Sequence, residues 1–265
     1  MEKQSETNGA ALPRVRYHLL DELRGFAVVC MVFYHGFYTL AEIFRLPAGY
    51  ELLQFFRPAE PYFAGLFILL SGIASQLTRS NLKRGAKLLG VSLVLTAVTA
   101  GLTYFGMNVA IWFGILHMLS VCMLLAAFLN RPLEKLTPLG GLALCILLYL
   151  LTMHVRDGYL GFSFARLPLP QAMMDCPWLF PLGIVTPSFA SADYFPLFPW
   201  MFVFFAGASI GIWVRRGRFP AFFAKSHFRP LSFVGRHALL IYILHQPLLF
   251  GLFSLISWAA GLMLP

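Results

Sequence analysis

Long apolar runs separated by short polar segments dominate the chain. A helix needs about 20 mostly apolar residues to cross the roughly 30 Å hydrocarbon core of a bilayer. Seven runs meet that length, at about residues 19–41, 61–78, 87–106, 108–129, 138–153, 194–214 and 237–263. The runs are continuous rather than alternating, which favours helices and excludes a transmembrane β-barrel. The pattern therefore predicts an all-α polytopic transmembrane helix bundle with about seven spans.

The composition supports a membrane protein. Hydrophobic residues make up 59% of the 265 residues and charged residues only 12%. Soluble domains carry about 25% charged residues, so this chain has too few charges to build a surface that faces water. A soluble globular enzyme and an intrinsically disordered chain are both excluded. The four cysteines show neither metal-ligand spacing nor a disulfide framework, and we expect no metal cofactor.

Lys and Arg are distributed unevenly between the two ends of the predicted spans. If the N-terminus is cytoplasmic, sixteen of the twenty fall in inner segments and four in outer ones. Positive residues concentrate on the cytoplasmic side of membrane proteins, so the pattern predicts a cytoplasmic N-terminus and an external C-terminus. The net charge of +9 is then explained by topology and does not indicate a nucleic-acid partner. We expect a multi-pass protein of the plasma (inner) membrane.

The polar segments predict a simple domain organisation. Residues 1–16 are expected to form a flexible cytoplasmic tail, followed by a single transmembrane domain at 17–265. The longest segment between spans, 154–193, lies on the outer side and is rich in Pro, Gly and aromatic residues. Loops of this length in a compact protein are usually functional. A substrate-facing lid and a loosely ordered connector are equally good interpretations of it.

The first predicted helix carries a stripe of polar residues. At 100° per residue its members fall within about 60° of one another. They are Asp21, Arg24, His35, Thr39 and Glu42. Ionisable groups cost at least about 2.5–3.5 kcal/mol each in hydrocarbon, so this face must line a bundle interior or an aqueous cavity. For Asp21 and Glu22, anchoring of the helix end is as good an interpretation as function. For His35, function is favoured.

Two further histidines lie inside predicted spans. His117 is near the middle of the fourth span, where an interhelical hydrogen bond is the favoured interpretation. His245 precedes Gln246 and Pro247 in the seventh span. Proline removes an amide donor and clashes with the carbonyl of Ile243, so we expect a kink that leaves backbone polar groups for a neighbour, water or ligand. At His245, function and structural hydrogen bonding are equally good interpretations.

Small and basic residues mark the second span and the inner segment after it. Ser71 and Gly72 favour close helix packing, and Gly72 alternatively leaves room for a long substrate arm. The inner segment contains Lys83, Arg84 and Lys87. The excess of Lys and Arg on the cytoplasmic side of membrane proteins is enough to explain the positive charge of this segment. Cations at a helix N-terminus also suit a polyanion such as a nucleotide diphosphate.

An ordered set of segments runs from residue 17 to residue 250. These are LDELRGFAVVCMVFYH, FAGLFILLSGIAS, LKRGAKLL, FGILHMLSV, DYFPLFPWMFVFFAGASIGIW and FVGRHALLIYILHQPLL. Together they resemble the heparan-alpha-glucosaminide N-acetyltransferase catalytic family, in particular its compact bacterial members. The opening Asp-x-x-Arg-Gly followed by a histidine is also similar to the membrane acyltransferase-3 family. The resemblance implies an integral membrane acyltransferase that moves an acetyl or other short acyl group from cytoplasmic acyl-CoA to a sugar or glycan.

The resemblance also implies roles for the polar residues. His35 would act as general base or accept the acyl group, with Asp21 and Arg24 of the same motif at the active centre. In an acyltransferase, Arg24 or His245 would stabilise the developing oxyanion or hold the pantetheine amide. The residues implied in binding the co-substrate acetyl-CoA are Ser71, Gly72, Lys83, Arg84, Lys87, His117 and Gln246. The lipid bilayer and a sugar or glycan acceptor are the expected partners, and a homodimer is left open.

Two other classes of function fit the same residues. Intramembrane histidines and carboxylates suit a small-solute transporter or proton-coupled carrier, although the chain lacks the internal repeat of many transporters. A non-catalytic membrane subunit is the third hypothesis. Acyl transfer is favoured because the polar stripe from Arg24 to His35 occurs together with a basic inner rim.

Overall fold

The fold is that of a computed structural model, which describes residues 16–259 and 261. Residues 1–15, most of the expected N-terminal tail, lie outside the described residues. The elements in chain order are α1 (His18–Tyr38), α2 (Pro47–Phe56), α3 (Glu60–Ser75), α4 (Asn81–Tyr104), α5 (Ile115–Lys135), α6 (Pro138–Thr152), β1 (Tyr159–Phe162), β2 (Ala165–Pro168), α7 (Gln171–Met174), α8 (Leu197–Arg215), α9 (Arg229–Arg236) and α10 (Ala238–Ala259). Strands β1 and β2 pair as an antiparallel hairpin.

Six helical segments of the described chain are long and apolar enough to cross a membrane. They are His18–Ile43, Asn81–Tyr104, Ile115–Lys135, Pro138–Asp157, Leu197–Arg215 and Ala238–Ala259. The predicted all-α polytopic bundle is therefore confirmed. The remaining predicted span, 61–78, forms the shorter helix α3. The orientation of the bundle in the membrane stays a prediction.

Helix α3 is too short to cross a membrane by itself. It ends at Ser75, and its 16 residues rise about 24 Å, which is less than the thickness of the hydrocarbon core. It packs against α1 on one side and α8 on the other. Half of its residues are buried. Helix α3 is thus enclosed by protein, and it contributes walls to the cavities described below.

Glycines allow α3 and α8 to approach each other backbone to backbone. A Cβ atom at Gly72 would overlap the carbonyl oxygen of Phe204, and a Cβ at Gly207 would overlap that of Leu69. Small residues at such crossings are typical of membrane helix pairs, because close packing replaces the hydrophobic effect in lipid. Of the two interpretations of Gly72 from the sequence, these contacts support packing.

A buried carboxylate joins α1 to the start of α9. Glu22 is 4% exposed, and its Oε1 accepts hydrogen bonds from Ser226 Oγ at 3.0 Å and from the backbone N–H groups of His227 at 2.8 Å and Phe228 at 3.0 Å. Backbone donors at the start of a helix have no partner within the helix, so the carboxylate satisfies them. These contacts support the structural interpretation of Glu22.

The segment 154–193, which the sequence predicts on the outer side, is bonded to the helix bundle at its end. The N–H of Ala192 donates to the carbonyl of Ala110 at 2.9 Å, and the N–H of Phe195 donates to the carbonyl of Phe113 at 3.0 Å. These bonds place the end of the segment alongside the turn between α4 and α5. This arrangement agrees with a cap on the bundle and not with a loose connector.

Replacing Gly72 with alanine should destabilise the protein, because the new Cβ forces α3 and α8 apart. We expect a loss of about 1–3 kcal/mol in the free energy of unfolding, as for other overpacked contacts. The measurement is the midpoint of thermal unfolding in detergent. Gly90→Ala is the matched control, since a Cβ at Gly90 meets nothing within 4 Å and alanine favours a helix. Equal midpoints for Gly72→Ala and the wild type would contradict the contact.

Replacing Glu22 with alanine should also destabilise the fold, because two backbone N–H groups lose their acceptor. Hydrogen bonds to charged groups contribute about 1.5–3 kcal/mol each, so we expect a loss of roughly 3 kcal/mol or more. Glu22→Gln keeps one oxygen acceptor and should lose less. Denaturant unfolding in detergent measures both, with the exposed Glu51→Ala as control. The same stability for Glu22→Ala and Glu51→Ala would rule out this role.

Candidate active site

Two cavities lined by described residues share a wall inside the bundle. The first, of about 380 Å³, is named the basic cavity after its cations, which are Arg24, Arg84, Lys87 and Arg236. The second, of about 430 Å³, is named the histidine cavity after His35. Phe67 and Tyr242 line both cavities. These two side chains therefore lie where the cavities adjoin.

The basic cavity combines a cationic rim with apolar sides. The described residues that line it include no carboxylate. Its apolar sides come from α4 and α5 and include Leu88, Val91, Leu116, Leu119 and Met123. Three of the residues predicted to bind acetyl-CoA line this cavity, namely Ser71, Arg84 and Lys87. Lys83 and Gly72 line neither cavity, and Gly72 is used in helix packing instead.

Arg24 belongs to the basic cavity, and an ion pair orients it. Its Nη1 lies 3.3 Å from Oδ1 of Asp21, and Oδ2 of Asp21 lies 2.8 Å from Nη2 of Arg16. Asp21 itself lines neither cavity. The polar stripe predicted on the first helix is therefore divided, with Arg24 in the basic cavity and His35 in the histidine cavity.

The histidine cavity brings together polar groups of both charge signs. Besides His35, its lining includes two arginines and two carboxylates, which are Arg57, Arg156, Glu60 and Asp193. Aromatic side chains form much of the remaining wall, among them Tyr34, Phe63, Phe189, Tyr194 and Phe195. A concave pocket in which aromatic walls hold several converging polar groups is typical of a small-molecule site.

His35 and His245 meet inside the bundle, with ring centroids 5.0 Å apart. Nδ1 of His245 lies 2.7 Å from the carbonyl oxygen of Tyr242. Because a carbonyl only accepts, Nδ1 carries the proton, and Nε2 of the neutral ring has a free lone pair. This Nε2 is buried and has no hydrogen-bond partner among the described residues. The histidines predicted from two distant helices are thus neighbours.

Gln246 ties α10 to the backbone of His35. Its Nε2 donates to Oγ1 of Thr39 at 3.1 Å, and that hydroxyl donates to the carbonyl of His35 at 2.8 Å. The residues directly after α1, Thr39–Ile43, form a π-helix. Helix α10 remains helical through Pro247. Gln246 lines neither cavity. Its contact with a cofactor stays a prediction.

His117 has a hydrogen-bond partner at both ring nitrogens. Nδ1 accepts the N–H of Gly114 at 3.3 Å, so Nε2 carries the proton and lies 3.1 Å from Oγ1 of Thr96. That hydroxyl donates in turn to the carbonyl of Ile111 at 2.8 Å. These bonds join α4 to the start of α5, as the sequence favoured. His117 lines neither cavity, so this geometry supports a structural role and not the cofactor contact that the resemblance implies.

Asp193 and Tyr242 form a polar contact at the wall between the cavities. The hydroxyl of Tyr242 donates to Oδ2 of Asp193 at 2.7 Å, and the same oxygen accepts the N–H of Ile115 at 3.2 Å. Burial raises the pKa of the Asp193 carboxyl above its usual range, and the two hydrogen bonds oppose that shift. Gly114 makes room for the carboxylate, since a Cβ there would overlap Oδ2.

Sequence reasoning did not single out three residues of the site, which are Asp193, Tyr242 and Arg236. Asp193 directly precedes an apolar run, where a charge is ordinary for the end of a span. Tyr242 lies within the last apolar run and adds little polarity to it. The sequence did contain a signal for these three residues, because all of them fall inside the segments that carry the family resemblance.

Comparisons with curated proteins and with solved structures found no match. The family model described as "Heparan-alpha-glucosaminide N-acetyltransferase, catalytic" matches residues 16–247. The match covers most of the chain and includes every residue that lines either cavity. It supports a membrane N-acetyltransferase as the general type of activity. The chain belongs to the heparan-alpha-glucosaminide N-acetyltransferase catalytic family.

Proposed function

We propose that the protein transfers an acetyl or other short acyl group from acyl-CoA in the basic cavity to a sugar or glycan in the histidine cavity. The observation that carries this proposal is the pair of chemically different cavities that share Phe67 and Tyr242. The thioester end of one ligand and the acceptor group of the other would meet beside these two side chains, while the rest of each ligand stays in its own cavity. A carrier would instead use a single central site with alternating access.

The basic cavity suits CoA, which is polyanionic at one end and carries a flexible arm. The four cations of the rim would hold the phosphates through charge-assisted hydrogen bonds. The pantetheine arm would extend along the apolar side of α4 and α5 towards Tyr242. The predicted orientation, with a cytoplasmic N-terminus, opens this cavity to cytoplasmic acyl-CoA. We place this multi-pass protein in the plasma membrane.

The histidine cavity supplies a base for the acceptor. His35 would remove a proton from an acceptor amine or hydroxyl as the nitrogen or oxygen attacks the thioester carbonyl carbon. The new C–N or C–O bond remains, the C–S bond breaks, and the proton passes from His35 to the CoA thiolate. His245 places a second basic nitrogen in the same ring cluster. Aromatic side chains of the wall would pack against the sugar ring.

Replacing His35 with alanine should lower acyl transfer at least about 100-fold, which is the usual contribution of a general base. The measurement is transfer of labelled acetyl from acetyl-CoA to a panel of hexosamines by purified protein in detergent. His237→Gln is the control, because His237 is exposed and lines neither cavity. Full activity of His35→Ala would exclude this base. Absence of transfer by the wild type to every acceptor, together with absence of CoA binding, would exclude the proposed function.

Replacing both Arg84 and Lys87 with alanine should weaken binding of acetyl-CoA, because two cations of the rim are lost. We expect the KM for acetyl-CoA to rise roughly tenfold or more, with little change in kcat, since these groups bind far from the reacting atoms. Stabilisation of the protein by CoA on heating should fall in parallel. Lys135→Ala is the control, an exposed cation outside both cavities. Equal effects of the two variants would contradict the assigned phosphate site.

A further inference from the structure

Tyr242 is the one described polar residue that lines both cavities. Its ring lies in the same cluster as the histidine pair, 5.6 Å from the ring of His245. Its backbone carbonyl accepts the Nδ1 proton of His245. A thioester that extends through the basic cavity and an acceptor held beside His35 would therefore meet at this side chain.

The hydroxyl of Tyr242 donates its hydrogen bond to Asp193. A phenol carries a single proton, and here that proton is directed at Oδ2 of Asp193. It is then unavailable to a carbonyl oxygen at the wall. Asp193 is held in place by the N–H of Ile115 and by the backbone bonds that attach its segment to the turn before α5. The carboxylate also lines the histidine cavity, where it can accept a hydrogen bond from a ligand.

We propose that the Tyr242–Asp193 hydrogen bond is a latch that the acceptor releases. An N–H or O–H of the acceptor, other than the one whose proton His35 removes, donates to Asp193 and replaces the phenol there. The phenol then turns its proton to the acyl carbonyl oxygen and stabilises the oxyanion that forms as the acceptor attacks. Tyr242 keeps its proton throughout, while the proton of the acceptor passes through His35 to the CoA thiolate as the C–S bond breaks. This inference rests on the proposed function.

The latch would also protect acetyl-CoA from water. Without acceptor, the phenol stays on Asp193, the thioester carbonyl is not polarised, and water in the histidine cavity hydrolyses it slowly. Transfer is favoured over hydrolysis because an acceptor held in the histidine cavity bonds Asp193 more persistently than a mobile water molecule does. Asp193 would therefore have two roles. It recognises the acceptor, and it controls the hydroxyl of Tyr242.

Tyr242→Phe tests the donor. It keeps the ring that separates the cavities and removes only the hydroxyl. We expect kcat for transfer to fall roughly 100-fold, as when one oxyanion donor is removed from other enzymes, while the KM for acetyl-CoA changes less than about twofold. Tyr149→Phe is the matched control, since Tyr149 lies on α6 and lines neither cavity. Unchanged kcat in Tyr242→Phe, with an active wild type, would overturn the inference and leave the proposed function standing.

Asp193→Ala tests the latch. Loss of the carboxylate frees the phenol without an acceptor, so hydrolysis of acetyl-CoA in the absence of acceptor should rise several-fold above the wild type, while transfer falls. The double variant Asp193→Ala/Tyr242→Phe should lose the added hydrolysis, because the freed donor is gone. Asp193→Asn keeps an oxygen acceptor for the phenol and should keep hydrolysis low. A decrease of hydrolysis and transfer together in Asp193→Ala, as damage to the fold would produce, would overturn the latch.

Discussion

A bilayer offers no hydrogen-bond partners, and this constraint organises the polar groups of the whole bundle. Each one must be paired within the protein or face a cavity. Glu22 meets three donors at the start of α9, and His117 has partners at both ring nitrogens. Other charged side chains, among them Arg24, Arg84, Glu60 and Asp193, line the two cavities. Reactive chemistry and internal polarity are consequently found in the same places.

Close helix contacts create the space for these cavities. Gly72 and Gly207 bring the backbones of α3 and α8 together, while Gly25 and Gly235 do the same for α1 and α9. Because α3 is enclosed between α1 and α8, its residues can face both cavities, and Phe67 contributes to their common wall. The shortness of α3, which makes it a poor span by itself, suits a helix surrounded by protein.

The common wall sets the chemistry that we propose. Acyl-CoA is a charged, flexible molecule, and the proposed acceptor is a polar one, so the two need different binding residues. Separate cavities provide a different set of side chains for each. Reaction is then confined to the point where Phe67 and Tyr242 line both cavities. Water is the competing nucleophile in acyl transfer. A hydrogen-bond donor that becomes available to the oxyanion only when the acceptor is bound limits that competition. Asp193, which faces the acceptor side and bonds the wall residue, is in a position to provide such control.

The sequence by itself determined that this protein is a membrane helix bundle, since hydropathy and helical period are local properties. It also identified Arg24, His35 and His245 as internal polar residues, because an unpaired charge in lipid is costly wherever it occurs. Only the tertiary structure decided that Arg24 and His35 line different cavities, which groups His117 bonds, and that Asp193 bonds Tyr242. Asp193 and Tyr242 are 49 residues apart in the chain. Their contact depends on how distant segments pack, and no local pattern encodes that.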